Sequence, residues 1–337
     1  MTTTIRVAVA LALLGLLIGI LGGGGDRPVV VVYTSLDPVF SRSILSRFEE
    51  ETGIEVREVF DTEATKTTGL VERIRRARSR PLCDVFWSNE PLRTIRLAEE
   101  GCFEPYLSPA ATGIDGAHRD EAGLWTGFAA RARVIAFDPE RISGDALPST
   151  LEQLLEPRFR GQVALADPRF GTTGSHLAAL LSQWGEERYR AFLSGLRENE
   201  VQIVGGNSMS RDRVLSGECL LGLTDTDDVE VSRRAGDRIS ETLLPEEGTL
   251  ILPNTVALVA GAPHPREARL LIDHLLAPER EELLAASSSR QIPLRPGVPV
   301  PPGGLSLAEV RSAPVSLEDA AAALPDALRI AREILGL

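Results

Sequence analysis

The chain alternates short β-branched or apolar runs with segments whose apolar residues recur at helical spacing. "PVVVVYTS" reads as a buried strand, bounded by Pro28 and by polar residues. "PVFSRSILSRFEEETG" places apolar residues three and four apart and stops at Gly53, which predicts a helix. "IEVREVFD" alternates as a strand does, and helix "TTGLVERIRRARSR", strand "CDVFWS" and helix "EPLRTIRLAEEG" follow. The order β-α-β-α-β-α predicts an α/β fold, a mostly parallel sheet flanked by helices. The theme then repeats. "LWTGFAARARVIAFD", "GQVALAD", "VQIVGG", "CLLGLT" and "TLILPNTVALVAG" read as strands. "TLEQLLE", "TTGSHLAALLSQWG", "EERYRAFLSGLREN", "SMSRDRVLSGE" and "PREARLLIDHLLAPEREELLAA" read as helices, and a last amphipathic helix ends the chain. Asn254 and Thr255, between strand segments, are candidate hinge positions.

In such a sheet, ligands gather beyond the carboxyl ends of the strands. Polar clusters fall there: "TSLD" after the first strand, "WSNE" after the third, "ADPRFGTTGS" and "TDTDD" after later ones. Four polar strand ends divided between two halves predict a cleft between lobes. With 337 residues, 43% hydrophobic and 25% charged, the chain is long enough for two cores. Its net charge of -12 argues against nucleic acid as partner, because phosphate recognition wants a basic surface.

The N-terminus adds a location. Arg6 precedes an apolar run from Val7 to Leu21 and then four glycines, the pattern of an export signal. Residues 1–26 are expected to be a signal peptide, or an anchor if uncleaved, and the folded part to lie outside the cytoplasm. Cys83 and Cys102 can pair there, leaving Cys219 single; the favoured reading is three buried, unpaired thiols. The four histidines show no metal-like spacing. Trp87 is the aromatic expected at the cleft, and Tyr33 is expected in the core.

Three aspartates, Asp225, Asp227 and Asp228, follow an apolar strand directly. One is explained as a helix cap. Three converging carboxylates need a counter-charge, either a bound cation or an internal arginine, for which Arg211, Arg213, Arg233 and Arg234 are nearest in sequence. "FGTTGSH" opens a helix, where backbone N–H groups and hydroxyls can hold an anion.

Six stretches in order, "VVYTSLD", "CDVFWSNEPLRTIRLAEEG", "GFAARARVIAFDPERI", "ADPRFGTTGSH", "GNSMSRDRVLSGE" and "LGLTDTDD", carry a resemblance. From Val29 to about Pro296 the chain resembles the periplasmic ferric-ion-binding proteins, the solute-binding components of iron ABC transporters. The resemblance implies a two-lobed periplasmic binding protein fold of type 2, with the ligand between lobes. The expected lobes are 27–130 with 255–285, and 131–254 with 286–337, the latter carrying the C-terminal helix.

The family grips ferric iron with paired tyrosines, a histidine, a glutamate and a synergistic anion. Here the tyrosine positions fall at Asp227 and Asp228, the histidine near Asp37, and the glutamate at or next to Asn89 and Glu90. The anion positions fall at Arg131, at Thr172, Thr173, Gly174 and Ser175, and at Asn207, with Asp225 alongside. The expected metal set is therefore Asp37, Glu90, Asp227 and Asp228. Carboxylates accept Fe(III) and also divalent ions, so the expected cargo is a hard cation, Fe(III) first and a divalent ion next, with or without an anion. Expected partners are an ABC permease and the small ligand, with the protein a monomer and without a catalytic cofactor. Relatives of this family carry sugar phosphates, phosphonates, thiamine or polyamines, and an organic solute is the alternative cargo. A metal-dependent glycosyltransferase is the reading from another class, suggested by the D-x-D after an apolar strand.

Overall fold

The computed structural model describes residues 27–61, 68–244, 246 and 248–337; the expected signal segment lies outside the described residues. Ten strands are described: β1 Val29–Thr34, β2 Glu55–Phe60, β3 Val85–Ser88, β4 Phe103–Glu104, β5 Thr126–Phe137, β6 Val163–Ala166, β7 Gln202–Val204, β8 Leu221–Asp225, β9 Ser240–Thr242 and β10 Ile251–Val259. The helices are α1 Pro38–Thr52, α2 Thr68–Arg76, α3 Pro91–Glu99, α4 Gly171–Glu198, α5 Asn207–Leu215, α6 Thr226–Ala235, α7 Pro265–Leu275, α8 Pro278–Ala286 and α9 Leu317–Leu335.

The strands run in the order β2-β1-β3-β10-β5-β8-β6-β7, with β4 on β10 and β9 on β5. The outer strands of each half are parallel, as the βαβ order predicts. The two central strands are antiparallel to their neighbours. β5 joins the halves: its first part, Thr126 to Ala132, pairs with β10, and its second, Arg133 to Phe137, pairs with β8. All twelve of its residues are buried, so its polar side chains must find partners inside the protein.

The ladder between β5 and β10 slips at Pro253 and Asn254, and Ala129 opposite takes a positive φ of 41°. An alanine in that region is strained, and it is held by two side chains. Its N–H donates to Glu281 Oε1 at 2.8 Å, and its carbonyl accepts from the Asn254 amide.

Two helix readings need correcting. The segment from Pro265 to Ala286 is two helices, because Pro278 has no N–H to continue the first, and Ala277 turns extended with ψ 142°. "TLEQLLE" forms only a 3-10 turn, Glu152–Leu155. The expected separation at Gly185 holds, since its φ of 77° breaks α4 without a loop.

Cys83, Cys102 and Cys219 are buried and unpaired. Topology accounts for the first two. Leu258 pairs with Val85 on one side and Glu104 on the other, so β10 separates the two cysteines. Two strand spacings are about 10 Å, beyond the ~7 Å reach of a disulfide. Trp87 faces the core, fully buried with its ring 5.7 Å from that of Phe128, rather than the cleft. Tyr33 is buried as expected. Among the described residues no helix is long and apolar enough to cross a membrane.

Candidate functional site

A cleft of about 330 Å³ opens beyond the carboxyl ends of the strands. From the first half it is lined by Asp37 and Asn89, and from the second by Thr172, Asn207 and the three aspartates, with Arg131 at its back. The aspartates are brought together by a junction with no loop. β8 ends at Asp225 and α6 begins at Thr226, so Asp227 and Asp228 occupy the first helical turn. Carboxylates there meet the positive end of the helix dipole. One oxygen from each of the three lies within 4.8 Å of the others.

Their counter-charges come from β5. Arg131 and Arg133 are two apart on a strand and so share a face. Arg133 Nη1 donates to Asp225 Oδ1 at 2.8 Å, with side-chain exposures of 1% and 2%. The other Asp225 oxygen accepts from the Thr172 hydroxyl at 2.6 Å and the Asn207 amide at 2.9 Å. Asp225 is therefore spent on the cleft floor. Arg131 donates to the Asn89 carbonyl at 3.1 Å and to Asn254 Oδ1 at 3.4 Å. Its Nε makes no hydrogen bond and faces Asp227 Oδ2 at 3.4 Å. Burial alone would lower the Arg131 pKa, but Asp227, Asp225, Asp228 and Asp37 together hold it above the usual value.

Asp228 is the least compensated of the three. Its carboxylate accepts from the Thr224 hydroxyl at 2.8 Å, while Arg211 reaches only the Asp228 backbone carbonyl, at 3.3 Å. Burial, then the charges of Asp227 and Asp225, push its pKa up to about 7. Around the cleft, four carboxylates (Asp37, Asp225, Asp227, Asp228) stand against three guanidiniums, the lining Arg131 and Arg211 and the Arg133 that pairs with Asp225 behind them.

The expected residues thus divide. Asp37, Asn89, Arg131, Thr172, Asn207, Asp225, Asp227 and Asp228 all line the cleft. Glu90 does not, which corrects its expected place among the metal ligands: it is fully buried, and its oxygens cap α3 through the Leu92 and Arg93 N–H groups. Thr173 and Ser175 turn inward, to Asn207 and Glu90. Gly174 packs on backbone, and a Cβ there would strike the Pro168 carbonyl oxygen. Gly174→Ala is expected to cost about 1–3 kcal/mol and to weaken ligand binding by displacing Thr172, measurable by denaturant unfolding and titration calorimetry.

Sequence reasoning found one of the internal cations and missed the closer ones. Of the four arginines nearest in sequence, Arg211 lines the cleft and its charge favours the Asp228 carboxylate, whereas Arg213 pairs with Glu218, Arg233 with Glu230 and Glu241, and Arg234 reaches the Ser287 carbonyl. Asp227 and Asp225 are instead met by Arg131 and by Arg133, some 90 residues upstream. The signal was available in "RAR" inside an otherwise apolar strand, since arginine at alternate buried positions needs acids opposite.

Comparison with known proteins agrees with this architecture. Iron uptake protein A1 of Synechocystis sp. is 27% identical over 321 residues, 92% of this chain and 88% of that protein. The major ferric iron-binding protein of Neisseria meningitidis serogroup A is 24% identical over 282 residues, 80% of this chain and 82% of that protein. Among solved structures, iron-bound HitA from Pseudomonas aeruginosa matches with a TM-score of 0.83 at 23% identity, covering 92% of this chain and 100% of that one. AfuA from Actinobacillus pleuropneumoniae with fructose-6-phosphate bound matches at 0.80 and 20% identity, covering 93% and 100%. These likenesses establish the two-lobed fold. Residues 81–303 match the family described as bacterial extracellular solute-binding protein, and with two-thirds of its length inside that match the chain belongs to this family of extracytoplasmic binding proteins, not enzymes.

Proposed function

We propose that the chain is exported through its N-terminal segment, captures a hard metal cation in the cleft as a monomer, and delivers it to the permease of an ABC importer. Ferric iron is the leading cargo. The observation that carries this reading is the convergence of Asp225, Asp227 and Asp228 within 4.8 Å in a cleft whose carboxylates outnumber its guanidiniums. Hard oxygen donors suit Fe(III), Mn²⁺, Mg²⁺ or Ca²⁺. The relatives named for iron uptake and ferric binding favour the first. With Asp225 held by Arg133, the direct ligands are Asp227 and Asp228, with Asp37 closing from the other side.

An organic phosphate is the second reading, favoured by two guanidiniums and the start of α4 in a cleft far larger than an ion, and by the AfuA likeness. Cation and anion together would satisfy both sets of charges. A thermal-melt panel on metal-stripped protein separates the readings, because a ligand that binds only the folded state raises the melting temperature, with a shift that grows as the logarithm of its excess over Kd. The proposal expects a shift with ferric iron, larger when carbonate or phosphate is present. A shift with a sugar phosphate and none with any metal would overturn it.

Protons and cargo compete for Asp228. Cation affinity is expected to fall about tenfold per pH unit below pH 7 and to level off above it, as for any ligand that must lose one proton. Folding of the metal-free protein responds with the opposite sign. The native pKa of Asp228 lies above its ordinary value of 3.8, so its contribution is most favourable below that value and is lost as pH rises toward 7. Asp228→Asn should therefore stabilise the metal-free protein increasingly between pH 4 and 7, read as a widening gap between the two melting curves.

A further inference from the structure

One buried ion pair outside the cleft ties the two halves of the sheet together. Glu90 is 0% exposed and Arg93 6%, both at the start of α3 and next to β3. One Glu90 oxygen accepts from the Leu92 N–H at 2.8 Å and from the Ser175 hydroxyl. The other accepts from the Arg93 N–H at 3.0 Å and from Arg93 Nη1 at 3.2 Å. The guanidinium then crosses to the other half. It donates to the Arg169 carbonyl at 3.0 Å and to the Gly171 carbonyl at 3.4 Å.

Capping α3 accounts for the Leu92 and Arg93 N–H bonds. It does not account for a hydroxyl brought from α4, or for a buried guanidinium seated on two carbonyls 76 and 78 residues away. A buried ion pair is a poor source of net stability compared with apolar side chains of the same volume. What this one supplies is geometry. The turn it holds carries Phe170, Gly171 and Thr172 into the cleft, and the Thr172 hydroxyl bonds Asp225 beside the other aspartates.

We infer that Glu90, Arg93 and Ser175 form a clasp between the halves that positions the 169–172 turn for cargo capture. They are positioning residues and do not touch the cargo. The inference rests on the reading of the cleft as the cargo site. It gives Glu90 a role behind the site, through Ser175 and the start of α4, rather than among the ligands.

Ser175→Ala tests it gently, since the Glu90–Arg93 pair and the α3 cap remain. Tyr189→Phe is the control: it removes another buried hydroxyl of α4, bonded to the Ala327 carbonyl at 3.0 Å, at the face packed on α9. Two readouts are taken on the full chain: affinity for ferric iron supplied with carbonate, and hydrogen exchange of the 170–173 amides in the metal-free protein. Loss of a hydrogen-bond partner of a metal ligand weakens binding by about 10–100-fold; Ser175 acts further back, through the 169–172 turn, so the loss expected is at the lower end, about 10-fold. Ser175→Ala is expected to show that loss together with faster exchange at 170–173, and Tyr189→Phe neither. Unchanged affinity or unchanged exchange in Ser175→Ala overturns the clasp, as does the same response in the control. Should the wild type bind no iron, the cargo reading fails by itself, and the exchange comparison alone decides the clasp.

Discussion

Replacing Asp227 and Asp228 together by alanine is expected to abolish cation capture and leave the chain folded. Both carboxylates line the cleft; among the described residues no arginine sits on the Asp228 carboxylate oxygens, and Asp227 faces the Arg131 Nε at 3.4 Å, a looser pairing than the 2.8 Å bond of Asp225 to Arg133. Losing two direct ligands should weaken binding by more than about 100-fold, or about 2.7 kcal/mol. The folding cost is small because the losses and gains nearly offset. The helix loses two acids at its first turn, each contributing about 0.3–1 kcal/mol. It also loses the repulsion and burial that hold the Asp228 pKa near 7. Calorimetric titration and circular dichroism on the same sample check both parts. Unchanged affinity in the double variant would remove the aspartates from the site.

Arg133→Met is expected to have the largest effect on stability. Asp225 would keep Thr172 and Asn207 as donors but would be a buried carboxylate without its hydrogen-bonded cation. Stranding one partner of a buried pair costs about 3–5 kcal/mol. The loss should be coupled rather than local. Arg133 and Asp225 draw Thr172 and Asn207 into one network, so the cleft floor is set together with the junction of β5 and β8. Adding Asp225→Asn to Arg133→Met removes the stranded charge and should restore much of the stability, a non-additivity that urea unfolding measures directly. Equal and additive losses would mean that the pair is not the joint described here.

Most of the fold was legible because it is written in local patterns. "PVVVVYTS" and "CDVFWS" are too apolar to be anything but buried strands, and Gly53 adopts the left-handed conformation, φ 75°, that ends a helix. Departures came where one residue overrode a pattern, as Pro278 does between α7 and α8. The antiparallel run of β5 and β10 was not legible, because period and composition do not encode strand direction.

The site was legible to the level of which segments meet, and less so for what each side chain does there. Asp37, Asn89, Thr172, Asn207 and the aspartates reach one cleft because all follow strand ends. Glu90 follows a strand end as well, but it lies one residue beyond Asn89 and points into the helix it begins. Its role depends on Ser175, 85 residues later, and no local pattern reveals such a contact. Arg133 escaped notice for the same reason, its partners lying 39, 74 and 92 residues away. Conserving charge among the aspartates forecast a cation, internal or bound; the structure contains internal ones for Asp225 and Asp227. Asp228 is left to the Thr224 hydroxyl and to an elevated pKa, which makes it the residue on which a cargo cation has most to gain.

The most direct test is anomalous X-ray scattering at the iron edge from crystals of metal-stripped protein reloaded with ferric iron and carbonate. The account predicts one strong peak in the cleft, at bonding distance from carboxylate oxygens of Asp227 and Asp228, with the anion against Arg131. A cleft holding an organic solute and no anomalous peak, or an iron peak away from these two aspartates, would contradict it.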